Sequence, residues 1–517
     1  MKNKYLGIEF GSTRVKAVLT NEKNMPIASG SYSWENKLAN GYWSYDLEEV
    51  WIGLQESYSQ LANDYKSKFN EDLTKITAMG ISAMMHGYLP FDKEGNALTE
   101  FRTWRNTTTG EAAEKLTNEL KFNIPLRWSI SHLYQSILSK EKHVEDIKYL
   151  TTLAGYIHWK LTGKFVLGIG DASGMFPVDS TTKDYDHKKV KKFDDLIEEN
   201  NFSWKLKDIL PEVLCAGTES GNLTEEGAKL LDKTGKLKSG IILCPPEGDA
   251  GTGMVATNSI AEKTGNISAG TSIFSMVVLE KPLGSVYEEI DMVTTPTGKQ
   301  VAMVHCNNCT NEINAWVNIF KEVSTMFNGT QNLDEIYTKL FEVALEGDVD
   351  CGGLLGYNYL SGEPICGVDD GRLLFIRRPD SQFNLKNFMR MQLYSACASL
   401  KIGMNILVKE NVKIDNLLGH GGFFKTPKVG QSIMASALNT KVTVMETAGE
   451  GGAWGCAVLA AYQYNKLGTL EEFLNTSVFN DKGVTVEPNL NDVDGFNKFL
   501  DMYKKGLSIE NEAIKAI

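Results

Sequence analysis

Two segments of this chain, half its length apart, follow one pattern. Residues 7–19 read Gly7-Ile8-Glu9-Phe10-Gly11-Ser12-Thr13-Arg14-Val15-Lys16-Ala17-Val18-Leu19, and residues 265–277 read Gly265-Asn266-Ile267-Ser268-Ala269-Gly270-Thr271-Ser272-Ile273-Phe274-Ser275-Met276-Val277. In each, a glycine opens an apolar run, a Gly-Ser-Thr or Gly-Thr-Ser triplet interrupts it, and an apolar-rich run leaves it. Alternation is clear after the first triplet, with Val15, Ala17 and Leu19 on one face and Arg14, Lys16 and Val18 on the other, the period of a strand. A glycine–hydroxyl–hydroxyl turn offers backbone N–H groups and hydroxyls without bulk, which suits an ordinary hairpin or an oxyanion such as phosphate. Internal symmetry on this scale implies two related halves, and it favours the phosphate reading of both turns.

The rest of the chain alternates helix and strand signals, as an α/β protein does. Residues 48–65 carry a helical stripe of Val50, Trp51, Leu54, Tyr58, Leu61 and Ala62. Residues 76–82 return to a strand that runs into Met85-His86-Gly87, and a His at a strand end in such a sheet faces the crevice where ligands bind. Trp104 lies among polar residues before a helix at 110–120, where it suits either a sugar or a helix start. Residues 177–238 are rich in Lys and Asp and read as peripheral helices and turns. Residues 385–408 form another helix, and an apolar run into Gly419-His420-Gly421-Gly422 allows a backbone to lie against a flat ligand. Glu446 to Leu459 opens a helix of small residues, and a polar helical cap follows from the 470s.

Composition removes several classes. The 517 residues allow about two to four domains. No apolar run reaches the roughly 18 residues of a membrane span, and Met1–Leu6 lacks the form of a secretory signal. The eight cysteines are scattered, as expected of a reduced cytoplasmic protein. Cys306-Asn307-Asn308-Cys309 is a lone CxxC without a second pair. A net charge of −12 argues against nucleic acid, though it leaves room for a phosphorylated ligand held by amides and magnesium.

Near the midpoint, Pro245-Pro246-Glu247-Gly248-Asp249-Ala250-Gly251-Thr252-Gly253 follows the short apolar segment 240–244. Prolines and glycines bracket Asp249 in what reads as a loop shaped for close approach rather than packing. Alone, Asp249 is as readily a turn residue as a functional one.

Together these segments resemble the FGGY family of carbohydrate kinases. Gly7–Thr13 is similar to the family's first phosphate loop, Ser268–Ser272 to the second, Gly248-Asp249-Ala250 to the segment of its catalytic aspartate, Tyr359-Leu360-Ser361-Gly362-Glu363 to its Leu-Ser-Gly-Glu stretch, Gly419–Gly422 to its adenosine loop, and Glu450–Ala457 to its C-terminal helix motif. The resemblance covers nearly the whole chain. It implies two ribonuclease-H-like domains of the actin and hexokinase type, residues 1–256 for the sugar and residues 257–517 for the nucleotide, with the active site in a cleft between them. It also implies ATP-dependent transfer to a sugar hydroxyl. Asp249 would be the base; Gly11, Ser12, Thr13, Lys16, Gly270, Thr271, Ser272, Gly421, Gly422 and Lys425 would hold ATP; and Glu9 with Asp249 would hold Mg2+. Met85, His86, Gly87, Trp104, Glu247 and Asp249 would line the sugar. The partner implied is a small-molecule sugar, with a homodimer as the assembly allowed and with no nucleic acid or membrane.

The chain departs from the family at four places, the mildest being Gly11-Ser12-Thr13 where Gly-Thr-Thr or Gly-Thr-Ser is commoner. Glu9 stands where the family has Asp, so the carboxylate reaches one methylene further. Arg105-Asn106 follows Trp104 in place of Asn-Asp. Pro245-Pro246-Glu247 replaces a glycine run before Asp249, which brings Glu247 within reach of a sugar hydroxyl. Met85-His86-Gly87 is similar to the Met-His-Gly of xylulokinases, so a ketopentose such as xylulose is the expected substrate. L-ribulose, a 6-deoxyketohexose and a tetritol stay open, as does a non-catalytic sugar or nucleotide sensor on the same fold. An actin- or Hsp70-like ATPase fits less well, because no peptide-binding module follows residue 460.

Overall fold

A computed structural model describes residues 3–445, 451–479 and 483–517. The chain divides into two compact units. The first comprises residues 1–260, 285–301 and 450–480; the second comprises 261–284, 302–449 and 481–517.

The first unit is built on a mixed sheet. Strands β1 (Tyr5–Phe10) and β2 (Arg14–Thr20) form an antiparallel hairpin, and β3 (Pro26–Ser33) continues it beyond β2. On the other side of β1 lies β4 (Ala78–Ala83), parallel to it, with Gly7 opposite Gly80. Two short strands, β5 (Ile242–Leu243) and β6 (Glu247–Gly248), pair parallel with β4. Strands β1 and β4 are buried almost throughout, as expected for parallel neighbours covered on both faces. The helix predicted over 48–65 is α1 (Leu47–Phe69). It is capped by Asp46, whose side chain accepts from Glu48 N, and it ends at Asn70 in the left-handed conformation.

The other face of this sheet is covered by α2 (Asp249–Ala256) and by the helix Gly451–Asn465. Both pack at glycine distance. An added Cβ at Gly7 would overlap Ala453 O, one at Gly455 would overlap Thr252 O, and one at Gly80 would press on the Cys244 and Cys456 sulfurs. The small residues of 451–465 are therefore needed for contact with β1, β4 and α2. The sequence-level motif for this helix begins at Glu450, and Glu446–Glu450 lie outside the described residues. The segment around Asp249 is not a loop, as its composition suggested. Gly248, in extended conformation, is the N-cap, and Asp249 is the first helical residue. Gly251 and Gly253 continue the helix, and Thr252 Oγ1 bonds back to Gly248 O and Asp249 O. The glycines provide thinness rather than turns.

The second unit repeats the start of the first. Strands β7 (Thr264–Ala269) and β8 (Ile273–Val278) form a hairpin, β9 (Gln300–Cys306) follows β8 in the sheet order, and β10 (Asn416–His420) runs parallel to β7 on its other side. Strand β11 (Val442–Val444) extends the sheet beyond β10. Strand β12 (Val484–Val486) then interrupts the expected helical cap before α3 (Leu490–Ala516). In both units a hairpin's first strand has a parallel neighbour, which is the internal symmetry read from the two glycine–hydroxyl turns. Among the described residues no helix is long and apolar enough to cross a membrane.

The glycine contacts can be tested directly. Gly455→Val should lower stability by about 1–3 kcal/mol or more, the cost of overpacking a filled core, in denaturant unfolding. Gly110→Ala, where an added Cβ meets nothing within 4 Å, should leave stability nearly unchanged.

Candidate active site

In the first unit the hairpin turn is closed by Gly11 N donating to Arg14 O at 3.0 Å. The turn's other carbonyls are pinned from behind. Trp34 Nε1 donates to Gly11 O at 2.8 Å, Tyr45 Oη to Ser12 O at 2.5 Å, and Trp34 N to Thr13 O at 3.2 Å. The two donor side chains stack on each other with ring centroids 4.2 Å apart. A trans peptide points its C=O and N–H in opposite directions, so each pinned carbonyl orients the next N–H away. The amides this presents are those of Ser12 and Thr13. The Gly11 amide, expected to serve a phosphate, is used within the turn.

Glu9, one strand position from the turn, faces Lys16 across the hairpin. Its Oε2 accepts from Ala453 N at 3.2 Å, so it holds the first turn of the 451–465 helix. Its Oε1 lies where a Gly452 side chain would be. Asp249 enters the same region from the start of α2. Its Oδ1 accepts from Ala250 N at 2.9 Å and from Met85 N at 3.3 Å, so Oδ2 is the oxygen left for a ligand. Burial pushes the Asp249 carboxyl up to about 6, against the amide bonds that favour its anion. Burial, and then the Asp249 charge, pushes Glu9 up to about 7. Two half-buried carboxylates that repel each other favour a shared cation. Among the described residues no cluster of three or more His, Cys, Asp or Glu side chains could hold a metal ion. Magnesium fits this set nonetheless, because it characteristically takes one or two carboxylates and fills its sphere with phosphate oxygens and water.

Met85, His86 and Gly87 follow β4. His86 (φ 70°) and Gly87 (φ 91°) are both left-handed, a conformation rare for a residue with a side chain. His86 is 5% exposed; its Nδ1 lies 3.0 Å from Gly174 O, so Nδ1 carries a proton, because a carbonyl only accepts. Met85 packs on Gly248, whose missing Cβ would overlap its Cγ. Trp104 is 39% exposed, and Arg105 lies over the Trp43 ring at 3.8 Å. The Arg105 that departs from the family pattern is thus occupied with a neighbouring indole.

Glu247 sits elsewhere than its sequence position suggested. It is 1% exposed. Its Oε1 accepts from Gly170 N at 3.3 Å and its Oε2 from Asp171 N at 3.0 Å. It thus holds the turn 169–172 against β6 instead of projecting toward a substrate. The turn carries Asp171, a buried residue that sequence reasoning passed over within Asp171-Ala172-Ser173-Gly174. Asp171 Oδ2 accepts from Thr152 Oγ1 at 2.6 Å, while its Oδ1 is buried without a hydrogen-bond partner. Burial pushes Asp171 up to about 8, with the Asp249 charge adding to the rise.

In the second unit, Gly270 N donates to Ser272 O at 2.9 Å and closes the turn Gly270–Ser272. Gly421, at φ 100°, lies so close to Ala269 that a Cβ would overlap its carbonyl oxygen. The Gly421-Gly422 segment is therefore next to the second turn, and an added Cβ at Gly422 meets nothing within 4 Å. Lys425 is exposed at the end of the short helical turn that follows.

Family signatures match both halves of the chain: the FGGY family of carbohydrate kinases, N-terminal domain, over residues 4–249, and its C-terminal domain over residues 265–464. Among curated relatives, a xylulose kinase of Haemophilus influenzae is 22% identical over 516 residues, spanning 98% of this chain and 99% of its own. Among solved structures, a ligand-bound xylulose kinase from Lactobacillus acidophilus is similar at a TM-score of 0.78 and 18% identity, covering 97% of each chain. A gluconate kinase from the same organism is similar at a TM-score of 0.77 and 19% identity, again over 97% of each chain. Fold is common to proteins named for different sugars, so these likenesses do not select the substrate.

The Asp171 carboxyl gives a pH test with a fixed sign. Its folded pKa lies above the ordinary value near 4, so the folded state binds the proton more tightly. Its contribution is full below about pH 4 and is lost as pH rises through about 8. Asp171→Asn should therefore gain on the parent protein by up to about 1.4 kcal/mol per pH unit across that window. Denaturant melts of both proteins at pH 5 and pH 8.5 check this, and a constant difference between them would refute it.

Proposed function

The chain belongs to the FGGY family of carbohydrate kinases and is a sugar kinase; we propose that it transfers the γ-phosphoryl group of ATP to a hydroxyl of a ketose, a ketopentose of the xylulose type, with Asp249 as the base. The observation that carries the assignment is the mounting of Asp249. Two backbone amides, Met85 N and Ala250 N, fix one carboxylate oxygen at a helix start, and the second oxygen then has one orientation in which to receive a hydroxyl proton.

An ordinary carboxylate is a weak base for an alcohol. At about 6, Asp249 remains ionised at neutral pH and is nearer the value a general base requires. Phosphoryl transfer has a loose transition state, so the carboxylate's main work is to aim the hydroxyl oxygen, with proton removal late. The amides of Ser12, Thr13, Thr271 and Ser272 would carry phosphate charge, and the Gly421-Gly422 segment would bed the adenosine. Magnesium, when bound, neutralises triphosphate charge; Glu9 and Asp249 are the residues that would hold it. Glu9 is longer than the family's Asp, and its bond to Ala453 N draws the carboxylate to the helix start, which takes up the added methylene.

The ketopentose reading is supported by the Met85-His86-Gly87 segment. Its left-handed pair and the His86–Gly174 bond fix an imidazole as a hydrogen-bonding group, and a site that hydrogen-bonds a particular hydroxyl rejects sugars lacking it by a large factor. Glu247 is proposed to act indirectly, through the 169–172 turn, rather than by touching the sugar.

Asp249→Asn should lower kcat by about 10²–10⁴-fold, the range for removing a general base, while ATP affinity stays within about tenfold; near-normal turnover would remove Asp249 from the chemistry. Coupled ADP release measured over xylulose, L-ribulose, 6-deoxyketohexoses, tetritols and gluconate should show the highest kcat/KM for xylulose. ADP release with none of these sugars would leave the acceptor outside this class. In the same assay, Glu9→Gln should raise the magnesium concentration needed for half-maximal rate.

A further inference from the structure

We infer that Glu363 is a positioning residue for the turn Gly270–Ser272, which it orients through the segment 307–310. The inference rests on reading that turn as phosphate-binding.

Glu363 is fully buried, and among the described residues no cation pairs with it. Its carboxylate collects N–H groups from a single strand end. Oε1 accepts from Asn307 N at 3.2 Å; Oε2 accepts from Asn308 N at 3.2 Å and Asn308 Nδ2 at 3.1 Å. Asn308 answers in the other direction. Its Oδ1 accepts from Leu360 N at 2.9 Å and Ser361 N at 3.2 Å, and its Nδ2 also donates to Ser361 O at 3.1 Å. Asn307 Nδ2 donates to Gly362 O at 2.7 Å. The Leu360–Glu363 stretch and the Asn307-Asn308 pair are thereby locked together by reciprocal bonds.

The next two residues carry this to the turn. Cys309 N donates to Thr271 O at 3.0 Å. Thr310 donates to Gly270 O twice, from N at 3.0 Å and from Oγ1 at 2.8 Å. Asn358 Nδ2 holds Cys309 O at 2.9 Å, so the donor strand is fixed on both sides. With the Gly270 and Thr271 carbonyls drawn toward 309–310, planarity sends the Thr271 and Ser272 N–H groups the opposite way. These N–H groups, together with the Thr271 hydroxyl, are the donors proposed for phosphate. The first turn reaches the same state through Trp34 and Tyr45; the second reaches it through a buried carboxylate that holds the chain two residues upstream of its clamp.

The geometry separates Glu from Gln. A carboxylate presents only acceptors, whereas a Gln amide turns an NH2 toward one of the N–H donors and leaves it unpaired. Loss of the negative charge alone would favour a nearby anion, so a charge effect and a positioning effect have opposite signs for ATP.

The test is calorimetric binding of Mg-ATP and of AMP to the full chain, to Glu363→Gln and to Thr271→Ala. Glu363→Gln should weaken ATP by about tenfold, the equivalent of about 1.4 kcal/mol, and leave AMP within about twofold. Thr271→Ala should show the same selectivity. Equal losses for both nucleotides in Glu363→Gln, or unchanged or tighter ATP, with Thr271→Ala still ATP-selective, would overturn the inference alone. No ATP selectivity in Thr271→Ala would overturn the phosphate reading and the inference with it. If Glu363→Gln does not fold, Glu363→Asp, too short to reach both amides, is judged by the same ratio.

Discussion

The arrangement in the first unit depends on a contact that lacks side chains. The helix Gly451–Asn465 lies on β1, β4 and α2 at positions where Gly7, Gly80, Gly452 and Gly455 leave no Cβ. That closeness lets Glu9 on β1 reach the amide of Ala453. It also places the start of α2, and with it Asp249, in the same small volume. Two carboxylates are then confined at a distance where each disfavours the charge of the other. Burial of this kind costs stability, and the proposed magnesium ion would offset that cost.

In both glycine–hydroxyl turns the scaffold occupies the carbonyls, which is what the proposed anion site requires. A turn has as many carbonyls as amides, so an unpinned turn offers an anion mixed polarity. In the first turn two aromatic donors occupy the carbonyls; in the second, the Cys309 and Thr310 amides with a threonine hydroxyl do so. The two solutions share no residue type at the pinning positions. What they share is topology, a hairpin flanked by a parallel strand, and this sets where a pinning segment can approach.

Much of this was legible in the order of residues. The repeated strand–turn–strand starts, α1 and the helix over 385–409 follow from periodicity and turn chemistry, and six motifs in series pointed to the family. The misreadings share a physical cause. Gly and Pro around Asp249 suggested a loop, because composition does not distinguish a glycine that turns from a glycine that lets a helix approach. Glu247 looked like a ligand contact because a carboxylate beside a catalytic segment is usually solvated; its partners, the Gly170 and Asp171 amides, are distant in sequence. Asp171 was passed over for the same reason. The Leu-Ser-Gly-Glu stretch was visible as a motif, but its bonds run to Asn307 and Asn308, and no spacing rule announces them.

Glu247 also bears on how this chain can change over evolutionary time. A glutamate there fills the space that glycines at 168 and 170 leave open, and it takes up two amides that would otherwise be buried without acceptors. Glycine at 247 alone would leave both amides without acceptors and a void behind. Enlarging residue 168 or 170 alone would collide with the carboxylate. Neither single step is neutral, so the three positions are physically coupled. A change at any one of the three positions therefore requires a matching change at another.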